Sequence, residues 1–164
     1  LFPDHGNERM NNNATTSIFV MLIPSMYDFA TTAIGFAAIF NAKTFMQIAF
    51  VCMCSLMFAV AVGSTVPMFA MLSDETKRPS WSIAIPLFVL WLSVMLFNLF
   101  TTFIGNSAVA VGKEFSVVLS DVIGIVGDFS GVQIGTVILL TICVSLCTIV
   151  LGDLVANAKF KSVA

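Results

Sequence analysis

Residues 79–112 read PSWSIAIPLFVLWLSVMLFNLFTTFIGNSAVAVG, a stretch with no Asp, Glu, Lys or Arg. An α-helix needs about 20 residues to cross a hydrocarbon core, and this stretch is longer. Two more charge-free runs occupy residues 44–73 and 129–152. A closed β-barrel is the only other architecture that satisfies its backbone in lipid. Barrel strands alternate apolar and polar residues, and none of these runs alternates. Over the whole chain of 164 residues, 59% are hydrophobic and 10% charged, with a mean hydropathy of +1.02. A soluble domain carries about 25% charged residues. A chain this short buries only about two-thirds of its surface on folding, so the surplus apolar surface must face lipid. The fold class is all-α, a polytopic membrane helix bundle of about five transmembrane helices.

Outward from the deciding stretch, the other boundaries follow from charges and turn residues. Residues 1–16 form a polar tail with the run Asn11, Asn12, Asn13. A first span is expected at about 17–41, with Pro24 in its early turns, and a second at about 45–72. Residues 73–80 bring Asp74, Glu75, Lys77 and Arg78 together as an exit into water, and Trp81 follows at an interfacial anchor position. The third span is expected at about 81–106. A fourth, at about 110–127, is the least apolar, since it holds Lys113, Glu114 and Asp121. A turn at Gly127 to Gly131 leads to a fifth span at about 132–155. A C-terminal tail, 157–164, carries Lys159 and Lys161. Five spans place the two ends on opposite faces, with Arg9, Lys77 and Arg78 on one side and Lys43, Lys113, Lys159 and Lys161 on the other. That split is too even for the positive-inside rule to decide; the terminal lysines favour a cytosolic C-terminus.

The net charge of −2 offers no basic patch for nucleic acid. The four cysteines, Cys52, Cys54, Cys143 and Cys147, lie inside apolar runs and read as packed free thiols. The sole histidine is His5, in the polar tail. There is no nucleophile–histidine–acid arrangement, no phosphate-binding loop and no metal-ligand spacing. No enzymatic activity and no cofactor are expected.

The residues that stand out are polar groups stranded among apolar ones. Asp28 lies about eleven residues into the first span. An acid at mid-membrane costs roughly 2.5–3.5 kcal/mol on insertion scales, and such residues face cavities or partners. A span beginning later would instead leave Asp28 near the interface. Tyr27 adjoins it, and Thr31 and Thr32 share its helical face. Glu114, Asp121 and Asp128 are spaced by seven and share a face, with Lys113 close to the same stripe. This stripe is either a cavity wall or the solvated side of a partly interfacial helix. Gly127, Gly131 and Gly135 recur every four residues, a spacing that lets helices approach closely. They serve packing within the chain, turn geometry or a dimer contact. Gln47, Asn98, Asn106 and Gln133 are placed either to bind solute or to bond helix to helix.

Two segments carry a family resemblance. The first runs through Phe97-Asn98, Gly105-Asn106-Ser107, Gly112-Lys113-Glu114-Phe115-Ser116 and Leu119-Ser120-Asp121. The second is Ile23-Pro24-Ser25-Met26-Tyr27-Asp28-Phe29-Ala30-Thr31-Thr32, with Gln47 beyond it. They resemble helices of the drug/metabolite transporter superfamily, in its nucleotide-sugar-transporter-like and chloroquine-resistance-transporter-like branches. The resemblance implies a multi-pass solute carrier of an endomembrane organelle in a eukaryotic cell, moving a small polar metabolite by alternating access. Asp28, Asp121, Lys113, Glu114, Tyr27, Thr31, Gln47, Asn98 and Ser120 would then be the substrate-binding or coupling residues. Such carriers have ten helices in two halves, and this chain holds room for about one half. A homodimer or a partner membrane subunit would supply the rest. From a different class, the same abundance of Phe and Met fits a structural subunit of a larger membrane complex. A small channel is a third reading.

Overall fold

The computed structural model describes residues 5–74, 76, 79–113 and 118–161, and the side chains among residues 16–156 of these. The described residues form six helices and no strand: α1 (His5–Phe40), α2 (Phe45–Gly63), α3 (Thr65–Ser73), α4 (Trp81–Ala110), α5 (Leu119–Gly127) and α6 (Gly131–Lys161). Four stretches are long and apolar enough to cross a bilayer, namely Thr16–Phe40, Phe45–Gly63, Trp81–Ala110 and Gly131–Ala156. The protein is a membrane-embedded all-α bundle, and four of the six helices among the described residues hold such a stretch.

Local chemistry explains where the helices break. The expected span at 45–72 divides at Ser64 because Pro67 has no N–H to give to the carbonyl of Gly63 and its ring collides with that carbonyl. Pro67 therefore sits in the first turn of α3, where its missing donor has no helical partner to lose. The expected span at 110–127 does not form. Gly112 adopts φ +67°, and Lys113 N–H bonds Ala108 O at 3.0 Å while Gly112 N–H bonds Val109 O at 3.0 Å. This paired turn, with glycine in the left-handed region, closes a helix C-terminus. What remains is α5, nine residues and about 14 Å long, too short to cross. Asn41 plays the same part at the end of α1, with φ 50° and Ala42 N–H on Ala37 O at 3.0 Å. Thr44 and Gln47 then form a reciprocal capping box that starts α2.

Aromatic and hydrogen-bond contacts fix the helix directions. Phe36 meets Phe58 with ring centroids 5.1 Å apart, and Phe40 meets Phe50 at 5.9 Å, so α1 and α2 are antiparallel. Phe58 on Phe97, Thr65 on Trp91 and Phe69 on Phe88 make α2 and α3 antiparallel to α4. Thus α1 and α4 run the same way, side by side. They form the most extensive helix pair, and α6 lies antiparallel against both.

The interior is small and polar. Large apolar side chains point outward, among them Phe45 (83% exposed), Val132 (80%) and Met46 (75%), while Asp28, Thr32, Asn98, Thr102 and Ser145 are buried. A water-soluble core has the opposite distribution. In lipid the hydrophobic effect does not hold helices together, and small residues and interhelical hydrogen bonds do.

Four crossings put both ends of the described bundle on one face together with Asp74 and Ser80. Lys43 and Lys113, the basic side chains among the described residues, lie together at the other face. Reporters fused before residue 16 and after residue 156 should both read the same compartment. Ends reporting opposite compartments would restore a fifth crossing.

Candidate functional site: a buried acid between three helices

Asp28 lies twelve residues from each end of the Thr16–Phe40 span, which at 1.5 Å per residue is about 18 Å from either end. It is 2% exposed. Three hydroxyls from two other helices donate to its carboxylate. Thr102 of α4 reaches Oδ1 at 3.2 Å, Ser145 of α6 reaches Oδ1 at 3.3 Å, and Thr148 of α6 reaches Oδ2 at 2.7 Å. Thr32, one turn along α1, shares a 2.8 Å hydrogen bond with Thr102 and lies 3.5 Å from Asn98 Oδ1. Asn98 is 2% exposed and its Nδ2 has no partner. Eight residues on, Asn106 donates Nδ2–H to Thr141 Oγ1 at 2.9 Å, while its Oδ1 has no partner. The two basic side chains among the described residues, Lys43 and Lys113, are both exposed beyond the helix ends.

The other sequence candidates lie elsewhere. Asp121 is exposed in the first turn of α5, where the helix dipole favours an acid; Ser120 is exposed beside it, with Oγ 3.4 Å from Asp121 Oδ1. The neighbouring Val122 packs on Ile34 and Ala38, six and ten residues along α1 from Asp28, or roughly 9–15 Å. Asp28 and Asp121 therefore do not line one crevice. Lys113 is exposed, and Glu114 lies outside the described residues. Gln47 is exposed and its Oε1 accepts from the N–H of Lys43 at 2.8 Å and of Thr44 at 3.0 Å, so its side chain caps α2. Tyr27 is half-buried. Thr31 is 1% exposed, and its hydroxyl is spent on the carbonyls of Tyr27 and Asp28. Of the nine candidates, Asp28 and Asn98 belong to the buried cluster. Thr32, Thr102, Ser145 and Thr148 join them from outside that set.

The close helix approaches also fall on other glycines than those expected. A Cβ added to Gly127, Gly131 or Gly135 would meet nothing within 4 Å, so none of the three serves packing within the chain. A Cβ on Gly35 would overlap the backbone carbonyl of Thr101, and one on Gly105 would overlap that of Thr31; Gly152 meets Gly63 in the same way.

The reciprocity of Gly35 and Gly105 exposes an internal repeat. Thr31-Thr32-Ala33-Ile34-Gly35 recurs 70 residues on as Thr101-Thr102-Phe103-Ile104-Gly105, with Asp28 and Asn98 at equivalent positions. The local hydrogen bonds repeat too. Thr31 Oγ1 bonds Tyr27 O and Asp28 O at 3.0 and 3.1 Å, and Thr101 Oγ1 bonds Phe97 O and Asn98 O at 3.0 and 2.9 Å. Thr32 and Thr102 meet each other where the copies face, so a pseudo-two-fold axis runs between α1 and α4.

Gly35→Ala or Gly105→Ala should separate α1 from α4, at a cost of about 1–3 kcal/mol or more, and lower the thermal midpoint in detergent. Gly135→Ala should leave it unchanged. Equal midpoints for all three would remove the case for this contact.

Compared with protein-family models, with curated proteins and with solved structures, the chain matches none.

Proposed function

We propose that the chain is a small membrane carrier for a polar solute, with Asp28 as its coupling acid. One observation carries this reading. The repeat places Asn98 on α4 where α1 has Asp28, and the amide packs there at 2% exposure. An uncharged polar group thus suffices to fill that position between the helices. The ionisable one has been retained at mid-span, where a carboxyl is costly to insert and marks a substrate or ion path. Its shell of movable hydroxyls, without a fixed cationic partner among the described residues, suits a group that gains and loses a ligand. The repeat also supplies two like helices within one chain, related by an axis along the helices, as in parallel-repeat transporters. Pairing with a second copy would extend this framework through the lipid-facing surfaces of α2 and α6.

A structural subunit of a larger membrane complex is the second reading, and a separate observation favours it. A groove of about 290 Å³ lies between α4 and α6, lined by Leu99, Phe100, Phe103, Ile138, Thr141 and Ile142. It is apolar, and none of its lining residues is a hydrogen-bond partner of the Asp28 carboxylate. A partner helix would fill such a groove better than a polar solute.

Uptake of labelled small polar metabolites into proteoliposomes separates the two. The carrier reading expects saturable uptake that Asp28→Asn lowers at least tenfold and Asp121→Asn leaves intact. Protein that is stable only within a larger complex, and inert when reconstituted, would support the subunit.

A further inference from the structure

We propose that the coupling ion is a proton, held on Asp28 Oδ2, and that Thr148 is the positioning residue that lets the buried carboxyl take it up and release it. The proposal rests on the carrier reading and deepens it by naming the ion.

The internal repeat extends beyond α1 and α4. Thr44-x-x-Gln47-Ile48-x-x-Val51-x-x-x-Ser55 returns as Ser130-x-x-Gln133-Ile134-x-x-Val137-x-x-x-Thr141, at an offset of 86 residues because α5 intervenes. The local hydrogen bonds repeat with it. Gln47 and Gln133 cap their helices alike, accepting from the N–H of Thr44 at 3.0 Å and of Ser130 at 2.8 Å. Ser55 and Thr141 each donate to the carbonyl four residues back, at 2.9 and 2.8 Å. The bundle is thus a doubled helix pair, α1 with α2 and α4 with α6. Continuing the register along both second helices, Ser145 and Thr148 of α6 correspond to Ala59 and Val62 of α2.

About the pseudo-two-fold axis, α2 stands to Asn98 as α6 stands to Asp28. Hydroxyls occupy the two α6 positions that reach the acid. Apolar side chains occupy the corresponding positions on α2, where Val62 is fully buried, and Asn98 Nδ2 has no partner. The packing of these helices therefore does without hydroxyls, and Ser145 and Thr148 are fitted to the carboxyl itself.

A hydroxyl, unlike an ammonium or a guanidinium, both donates and accepts, so it can partner either form of an acid. Thr148 has the geometry for both. Its Oγ1 lies 2.7 Å from Asp28 Oδ2 and 3.2 Å from Val144 O, one turn back on its own helix. With the carboxylate ionised, Thr148 donates to Oδ2. When a proton from water bonds to Oδ2, the new O–H donates to Thr148 Oγ1, and Thr148 turns its own hydrogen to Val144 O. One O–H bond forms, one hydroxyl rotates and no heavy atom has to move, so the site needs no cavity. Oδ1 keeps Thr102 and Ser145 as donors in both states. The reverse sequence returns the proton to water. A proton on Oδ1 has no comparable route. Ser145 donates only to Oδ1, and Thr102 could accept only after Thr32 had turned to Asn98 Oδ1, 3.5 Å away.

The groups that bond the carboxyl, Thr102 from α4 and Ser145 and Thr148 from α6, do not titrate. Helices α3 and α4 hold no titratable side chain. The titratable residues among the described side chains of the other helices are Tyr27 on α1, Cys52 and Cys54 on α2, Asp121 and Asp128 at α5, and Cys143, Cys147 and Asp153 on α6. All of them are partly or fully exposed. Asp28 is the one buried group among them that can carry a proton.

Infrared titration of the purified full chain in detergent reads the proton directly, since a carboxyl and a carboxylate absorb at different frequencies. Helicity is checked for each variant. We expect a carboxyl band that appears as the pH is lowered and is missing from Asp28→Asn, a variant that should fold because an asparagine already fills the equivalent position on α4. Thr148→Val should displace the midpoint of that band by about one pH unit, since a hydroxyl bonds the charged and neutral forms unequally. Thr148→Ser should restore it. Thr136→Val removes an exposed α6 hydroxyl that bonds only its own helix, and should leave the midpoint in place. An Asp28 band present at every pH, or at none, would overturn the proton as the coupling ion. A midpoint that Thr148→Val does not move would overturn the role of Thr148; should that variant fail to fold, Thr148→Ala carries the same expectation. The titration needs no solute, so its failure leaves the uptake experiment to judge the carrier reading. A titrating Asp28 in a protein inert in proteoliposomes would count against that reading instead.

Discussion

The backbone contact between α1 and α4 governs the rest of the bundle. Each helix presents a threonine carbonyl to the other's glycine, Thr101 to Gly35 and Thr31 to Gly105. Lipid tails are as apolar as leucine, so helices gain little by hiding apolar side chains from them, and close packing has to do the work. It can do so here because Thr31 and Thr101 fold their hydroxyls back onto their own helices. That leaves a smooth, small surface on each side. With the two backbones this close, Thr32 and Thr102 come within 2.8 Å, and Thr102 is thereby placed to reach Asp28. The α6 helix closes the third side of the acid through Ser145 and Thr148. A longer distance between α1 and α4 would leave the carboxylate with donors from α6 alone.

The apolar spans were legible because charge exclusion from lipid is a property of composition, and composition needs no knowledge of contacts. Their interruptions were less so. Pro67 and Gly112 each end a helix within a charge-free run, and hydropathy alone passes over both. The mid-span depth of Asp28 was also legible, by counting from the ends. Its partners were not, since Thr102, Ser145 and Thr148 lie 74, 117 and 120 residues away. Even so, traces of them exist in the sequence. Thr141, Ser145, Thr148 and Gly152 follow the 4-3-4 spacing of one helical face, a polar and small stripe in an otherwise apolar helix. The Thr-Thr-x-Ile-Gly repeat is a second trace, and a comparison of the chain with itself finds it. The signature Thr44-x-x-Gln47, repeated as Ser130-x-x-Gln133, is a third. It accounts for Gln47 and Gln133 as capping residues, which is what their hydrogen bonds show. Asp121 looked like a cavity acid only while residues 110–127 were read as one membrane helix. Once Gly112 ends α4, Asp121 becomes an acid at the start of a short helix, a common and favourable place for one.

Symmetry and its breaking bear on what the buried network can do. Two like helices facing each other about an axis would, with identical residues, bring two acids or two amides close together. Two acids would repel in a site without a cation, and two amides could satisfy each other without any ligand. The chain has one of each. A single carboxylate sits on one side and an amide on the other, linked through Thr32 and Thr102. With Thr102 donating to Asp28, the hydrogen between the two threonines is Thr32's, and the chain of donors runs towards the acid. A buried polar group without a partner costs about 1–3 kcal/mol, and the network carries such a group at its amide end, Asn98 Nδ2. Reversing the hydroxyls would bring a donor to Asn98 Oδ1 and still leave Nδ2 without an acceptor, so the amide end of the network is satisfied only by an acceptor that the chain of hydroxyls does not supply.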